Sequence, residues 1–498
     1  MSTTPFIAPD DVHNRALVKR THPEDWPVHA GEDRYDVVVV GGGPGGLVTA
    51  MGANGVGARV ALIEKGLLGG DCLISGCVPS KALLKSAKVA RSARKAAAFG
   101  VHTGEVRVDF AAVMERMRSL RAGISHHDAA ERFQKEGIDI YLGHGTFVGR
   151  DAIEVNGRRL TFKRAVIATG AHARRPVLPG VDDANVLTNE SLFALTELPK
   201  RLVVVGGGVI GCEMAQAFAA FGSEVTLIEL GDRVLPRVAA DASRALEAAL
   251  RSDGVTLMHN ANVTGFERVG EDSIVVATVD GDERRVAADA VLVSIGRVPN
   301  MNGLGLDAAG VQTHKRGIEV DDFMRTSNRR VFAIGDVASK YQFTHAADAM
   351  ARMVVRNALF FGRKRHSALV VPSCTFTEPE IATVGQTEAG PDHQVFRANA
   401  ADLDRAVLDG NTDGFLEVVA DGSGTILGAT AVGERAGELI NTVALAMTQG
   451  VGLSSIAEQV FAYPTESELI KRTGDAFNRT RLSDTAAKVL KTIISLRR

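Results

Sequence analysis

The chain carries the same unit twice. "YDVVVVGGGPGG" begins at Tyr35 and "RLVVVGGGVIG" at Arg201, and each is an apolar run that ends in glycines. Gly41, Gly43 and Gly46 form a G-x-G-x-x-G directly after the first run; Gly206, Gly208 and Gly211 do so after the second. Each set leads into an Ala/Gly-rich helical stretch and then a second strand, "ARVALIE" or "SEVTLIE", that ends in a glutamate. Glu64 stands 23 residues after Gly41, and Glu229 stands 23 after Gly206. The first glycine of such a set permits a tight turn, the second lets backbone approach a pyrophosphate, and the third lets helix pack close to strand. The helix N-terminus offers free N–H groups and a positive dipole end to phosphate. The glutamate accepts hydrogen bonds from a ribose diol. One such fingerprint is weak, and glycine turns without a ligand would explain it. Two copies at equal spacing predict two Rossmann-like dinucleotide-binding domains in an α/β fold.

Three further strands end in the same manner. "RAVIATG" stops at Thr169 and Gly170, "AVLVSIGRVPN" at Gly296 and Arg297, and "RRVFAIGD" at Gly335 and Asp336. Ligands of doubly wound sheets bind at such carboxyl ends. Asp336 therefore reads either as a ligand for ribityl hydroxyls or as a helix N-cap. From about Ser367 the glycine fingerprints cease, and strands packed by helices predict a third, α+β domain. Residues 1–34 are polar and irregular and predict an arm that packs on the body. A length of 498 residues accommodates two to four domains.

The formal net charge of −2 argues against a nucleic-acid binder, which needs clustered basic charge. The basic stretch 85–95 reads as a solvated helix face, and the amphipathic tail "KVLKTIISLRR" as a segment packed on the body rather than on a membrane. No run of 18 uncharged apolar residues occurs, and the start lacks the pattern of a secretory signal. The chain has four cysteines, too few for a disulfide scaffold, which points to a reducing cytoplasm. Two of them, Cys72 and Cys77, share the short loop "GGDCLISGCVPSKALL". A structural disulfide or a metal pair is the plain alternative to a catalytic pair, but zinc would need two more ligands at suitable spacing, and no metal site is expected. Cys212 and Cys374 stand alone and read as buried apolar residues. Two dinucleotide sites beside a cysteine pair suggest one circuit, from a nicotinamide through a flavin to a disulfide.

With these motifs the chain resembles the flavoprotein disulfide reductases, the group of lipoamide dehydrogenase, glutathione reductase and mercuric reductase. The paired fingerprints, C-x4-C-V-P-S-K, A-T-G, G-R-V-P-N and G-D carry the resemblance, which runs from Tyr35 to the C-terminal region. "FTHAADAMARMVVRNALFF", "CTFTEPEIATVG" and "YPTESE" are similar to mercuric reductase-like members. The resemblance implies an FAD-binding domain over 35–180, an NAD-binding domain over 181–299, a segment over 300–366 that completes the FAD site, and a dimerisation domain over 367–498. It implies a homodimer that is cytoplasmic, binds neither nucleic acid nor membrane, and reduces a small disulfide, metal ion or quinone-like acceptor. Cys72 and Cys77 would form the redox-active disulfide, with Cys77 facing the flavin and Cys72 the substrate. Lys81 would sit beside the flavin, paired with Glu213 near the nicotinamide. Around FAD it places Gly41, Gly43, Gly46, Glu64, Lys65, Gly70, Gly145, Thr169, Gly170, Asp336, His345 and Ala346. Around NAD it places Gly206, Gly208, Gly211, Glu229, Gly296 and Arg297. Glu229 would meet the 2′-hydroxyl of NAD and repel the 2′-phosphate of NADP, so NADH is the expected donor, although Arg233 and Arg237 follow nearby.

The departures from the family are as informative. Lipoamide and glutathione reductases carry H-x-H-P-T-x-x-E near the C-terminus, where the second His acts as acid–base across the subunit boundary. Here Phe461 and Tyr463 stand at the His positions and Glu468 keeps the Glu position. A phenol titrates near ~10 and is a poor general base at neutral pH. Tyr463 reads either as a hydrogen-bond donor in the site or as an interface packing residue. Mercuric reductases have a C-terminal cysteine pair; here no cysteine follows Cys374. In the redox loop Ile74 replaces the usual Asn, and Asp71 the usual Thr. Two other readings remain open on the sequence: a dihydrolipoamide dehydrogenase, and a non-enzymatic redox-sensing flavoprotein.

Overall fold

A computed structural model describes residues 7–27 and 34–497. Residues 1–6 and 28–33 of the expected arm lie outside the described residues. The chain divides into two compact units, one built from residues up to Leu230 with Ala261–Leu369, the other from Gly231–Asn260 and Val370–Arg498.

The first unit holds both copies of the repeat. In the first copy, strand Arg34–Val40 lies between Val60–Glu64 and Arg158–Ile167, parallel to both. The sheet continues through Asp139–Leu142 on one side and Ala152–Val155 and Thr146–Gly149 on the other. Val331–Ala333 adds a further parallel strand against Arg158–Ile167, so the "AIGD" end lies beside the "ATG" end. Such strands are buried on both faces, which is why they read as unbroken Val/Ile runs. In the second copy, Arg201–Val205 pairs in parallel with Glu224–Ile228 and Ala290–Val293, and Ala290–Val293 with Val186–Leu187. An antiparallel meander, Ala261–Val269, Asp272–Val279 and Asp282–Ala288, follows.

The two glycine turns are superposable in detail. Gly41 and Gly206 have φ of +108° and +105°, where glycine alone is unstrained. Each turn closes through matching bonds: Gly41 N to Ile63 O and Gly206 N to Ile228 O, both 2.8 Å. A Cβ at Gly46 would overlap the Gly41 carbonyl oxygen, and one at Gly211 would overlap that of Gly206. By contrast, a Cβ at Gly208 would meet nothing within 4 Å.

The second unit carries a five-stranded antiparallel sheet in the order Pro372–Thr375, Glu380–Gly385, Ile426–Gly433, Phe415–Ala420, Gln394–Asn399. Helices Ala436–Gln449 and Glu468–Thr480 cover it, burying Leu439, Ile440, Val443, Leu469, Ile470 and Phe477 against Leu416, Val418, Ala429 and Ala431. Cys374 packs on this core, and Cys212 is buried in the first unit.

Three sequence expectations change. The arm is not irregular: Asp11 caps a helix, Val12–Thr21, by accepting from Asn14 N at 2.8 Å. The basic stretch is only partly solvated, because Arg91 is buried with Ala87 and Ala90 while Lys85 and Lys95 face water. The tail forms a helix, Asp484–Leu496, that is not packed on the body. Val489, Leu490, Ile493, Ile494 and Leu496 remain exposed, because no described element of the chain covers that face.

The glycine geometry predicts opposite outcomes at two neighbouring positions. Gly211→Ala forces helix from strand and lowers stability by about 1–3 kcal/mol, whereas Gly208→Ala stays within about 0.5 kcal/mol of the parent; denaturant melts of the two proteins measure both.

Candidate active site

The redox loop begins where the first glycine turn ends. Gly43 and Gly70 touch backbone to backbone, and a Cβ on Gly70 would come within 2.7 Å of Gly43 Cα. Gly69 and Gly70 both have positive φ, and they launch the short helix Gly70–Ile74 that carries Cys72. Gly76 then caps helix Cys77–Lys95, with Pro79 in its first turn. Cys77 is thus the first residue of a 19-residue helix and lies at its positive end. Both cysteines are free thiols in the structure.

The two sulfurs are not equivalent. Cys72 and Cys77 are hydrogen-bonded to each other, and Thr344 Oγ1 lies 3.4 Å from Cys77 Sγ. These hydrogen bonds and the nearby charge of Lys81 pull Cys77 down to about 6, against burial and the Asp71 charge. The same hydrogen bond, with burial, pushes Cys72 well up. Of the two thiols, Cys77 is the more readily ionised. Lys81, one turn after Cys77, is bound by both carboxylate oxygens of Glu213 at 3.0 and 2.9 Å. Glu213 is only 2% exposed, so the ion pair fixes the lysine from within the second glycine helix, Val209–Phe221.

Asp71 ties the loop to the strand-end motifs. Its Oδ1 accepts from Ser75 Oγ at 2.7 Å and from Asn189 Nδ2 at 3.1 Å, and its Oδ2 lies 3.0 Å from Arg297 Nη2. Arg297 Nε reaches Asp336 at 3.3 Å, and its Nη2 donates to Ala171 O at 2.6 Å. Burial pushes the Asp336 carboxyl up, and Arg297 opposes this. Thr169 and Asn300 exchange two hydrogen bonds, Thr169 Oγ1 to Asn300 O at 2.7 Å and Asn300 Nδ2 to Thr169 O at 2.9 Å. The "ATG", "GRVPN" and "GD" ends thus converge on the redox loop.

The two acids of the repeat behave alike. Glu64 accepts from Gly42 N at 2.5 Å and from Gly66 N at 2.6 Å, and Glu229 accepts from Gly207 N at 2.6 Å. Burial pushes the Glu64 carboxyl up. His345 and Ala346 lie in the first turn of helix Thr344–Leu359, with His345 stacked on Phe343 at 5.3 Å. Lys65 is exposed, and Gly145 packs on Ile63 in the sheet layer, away from the cysteines. Glycines that place backbone against backbone along the first nucleotide strand, and acids at both strand ends, fit FAD in the first copy and a nicotinamide dinucleotide in the second.

In the second unit Tyr463 is 71% exposed and donates to Asp404 Oδ2 at 2.7 Å, which pushes the phenol up. Glu468 makes no hydrogen bond to it: its Oε1 accepts from Thr465 N at 3.2 Å, in the turn before helix Glu468–Thr480. Sequence reasoning missed Thr344, Asn189 and Asn300. Thr344 and Asn300 were within reach, since they stand in the quoted "FTHAAD" and "GRVPN"; Asn189 carries no local pattern.

The family model for pyridine nucleotide-disulphide oxidoreductases matches residues 35–351, and the model of the family's dimerisation domain matches 371–473. The chain belongs to the pyridine nucleotide-disulphide oxidoreductase family. It is 35% identical to a mercuric reductase of Bacillus cereus over 89% of this chain and 71% of that protein. It is also 35% identical to a dihydrolipoyl dehydrogenase of Bacillus subtilis, over 88% and 96%. Among solved structures, LpdA from Mycobacterium tuberculosis superposes with a TM-score of 0.81 at 27% identity, covering 89% of this chain and 99% of that one. The Cu(II) complex of the HOCl-induced flavoprotein disulfide reductase RclA from Escherichia coli gives 0.79 at 28%, covering 89% and 100%. The protein is an FAD- and NAD(P)H-dependent oxidoreductase and a homodimer, with two dinucleotide-binding domains and a C-terminal dimerisation domain. No described helix is long and apolar enough to cross a membrane.

The shifted thiols predict a split in reactivity. With Cys77 at about 6, iodoacetamide labelling of the reduced protein at Cys77 rises through pH 6, rather than near the ~8.5 of an ordinary thiol. Labelling at Cys72 requires distinctly higher pH. Peptide mass spectrometry across pH 5–10 measures each site, and two coincident profiles near 8.5 would contradict the asymmetry.

Proposed function

We propose that this enzyme uses NADH to reduce a disulfide or soft-metal acceptor through Cys72 and Cys77, in the manner of mercuric reductase, in the cytoplasm. The observation that carries the reading is the hydrogen-bonded cysteine pair at a helix N-terminus, with Lys81 one turn on and held by Glu213. We assign FAD to 35–180 completed by 300–366, the nicotinamide dinucleotide to 181–299, and subunit contact to 367–498. Gly41, Gly43, Gly46, Glu64 and Asp336 would hold the flavin, with Gly70, Thr169, Gly170, His345 and Ala346 around it. Gly206, Gly208, Gly211 and Glu229 would hold the nicotinamide dinucleotide. When bound, the flavin accepts a hydride from the reduced nicotinamide and delivers two electrons to the cysteine pair.

The protein's own part is proton and charge control. Lys81 and the helix N-terminus hold Cys77 as a thiolate. Movement of the shared proton from Cys72 to Cys77 exposes a Cys72 thiolate, which attacks a disulfide sulfur or binds a soft cation without a histidine base. With a disulfide acceptor, Cys72 forms a mixed disulfide and expels one thiolate, which takes the proton from Cys77. Cys77 then attacks Cys72, the Cys72–Cys77 bond forms and the second thiolate leaves; two electrons have passed to the acceptor. Tyr463, bound to Asp404 and pushed up in pKa, is suited to donate a proton rather than remove one. This disfavours lipoamide, whose turnover in the family rests on an imidazole.

Glu229 supports NADH over NADPH, since its carboxylate would face a 2′-phosphate. An acceptor panel of Hg(II), glutathione disulfide, lipoamide and quinones, run with NADH and NADPH, tests the reading. We expect turnover of a soft metal or small disulfide with NADH, abolished by Cys72→Ser and by Cys77→Ser. Fast lipoamide turnover by the parent enzyme would overturn it. Tyr463→His should raise lipoamide turnover by roughly tenfold or more, because it installs a group that titrates near neutrality; stopped-flow assay of dihydrolipoamide oxidation measures this.

A further inference from the structure

We propose that the N-terminal helix Val12–Thr21 is a strap that fixes the redox loop from behind and thereby positions Cys72. The strap runs antiparallel to residues 66–74 and meets them rung by rung. Asn14 Oδ1 accepts from Arg121 Nη2 at 2.7 Å, and Arg121 Nη1 donates to Ile74 O at 2.5 Å. Leu17 packs on Leu73 and Ala122, with Ile74 and Val78 against the same cluster. Thr21 O accepts from Leu68 N at 3.2 Å, and His22 Nδ1 lies 2.5 Å from Gly66 O. Beyond the helix, Trp26 Nε1 donates to Ile140 O at 3.0 Å on the neighbouring strand.

Leu73 and Val78 are the chain neighbours of Cys72 and Cys77, so the strap grips the loop at both redox positions. Leu17 is fully buried, and Arg121 is 2% exposed. A buried guanidinium needs its donors met, and two of them are met by the strap and by the loop, which couples the two. Asp11 closes the base of the strap on Arg118 at 2.5 Å. The departure at Ile74 now has a cause: a partly buried apolar side chain there packs on the Leu17 cluster, which gives an amide no polar partner on that side. The strap lies outside the family match, which begins at residue 35.

The inference rests on Cys72 being one half of the redox pair. Thiol titration of the denatured enzyme tests that pair separately: four thiols after reduction and two after oxidation, by the cysteine count. The strap is tested on the reduced, FAD-loaded dimer of Asn14→Ala, Leu17→Ala and a chain lacking residues 1–22. N-ethylmaleimide labelling of Cys72 should accelerate roughly fivefold or more, as expected for a loop that opens locally. Labelling of buried Cys212 should not change, hydrogen exchange should rise at residues 68–76, and kcat should fall with KM for NADH unaltered. Leu17→Met should restore parental labelling. If the truncated chain fails to load FAD, the two point variants decide. Parental Cys72 labelling and parental exchange at 68–76 in folded Asn14→Ala and Leu17→Ala would overturn the proposal, and so would equal acceleration at Cys212.

Discussion

Everything in the site hangs on how closely backbone can approach backbone at the glycine turns. Gly46 lies against the Gly41 carbonyl with no room for a Cβ, and Gly211 repeats this on Gly206. That approach draws each helix N-terminus up to the strand end and leaves amide groups free at the turn. Gly42 N and Gly207 N then bond the acids at the ends of the neighbouring strands. The same closeness extends one step further in the first copy only, where Gly70 rests on Gly43 and seats the short helix of Cys72. A nucleotide cradle and a redox loop thus share one piece of backbone, and neither can move without the other.

On that frame, electrostatics divides two identical side chains into two roles. Burial acts against ionisation of both cysteines and Thr344 favours it at both, yet only Cys77 has the helix N-terminus and the Lys81 charge besides. Lys81 in turn is held by Glu213, whose carboxylate is buried on the helix of the second copy. The Lys81–Glu213 pair therefore joins the redox-loop helix to the glycine helix of the second repeat. Asp71, Arg297 and Asp336 form a second charged link between the loop and the strand ends.

Much of this was legible because it is local. The glycine spacings, the strands before them, the glutamates after them and the cysteine spacing are all short-range patterns with a steric or electrostatic meaning. The pairing of Lys81 with Glu213 came through family resemblance, and the geometry contains it. The arm was misread as irregular because a single helix of polar composition has no pattern of its own; its one signal was the cap at Asp11. The tail was misread for the opposite reason. Its apolar stripe is plain, but a stripe does not name what covers it.

The sequence by itself determined two nucleotide-binding units, a close cysteine pair after the first, and a tyrosine rather than a histidine at position 463, since each follows from residue type at fixed short spacing. Only the tertiary structure decided what surrounds the two thiols, since it brings Thr344, 267 residues from Cys77 along the chain, to within 3.4 Å of the Cys77 sulfur. It also turned Tyr463 toward Asp404 and Glu468 back on Thr465, and laid residues 14–22 along the redox loop. Hydrogen bonds and buried charges are settled by distance in space, and distance in space is what one-dimensional spacing does not carry.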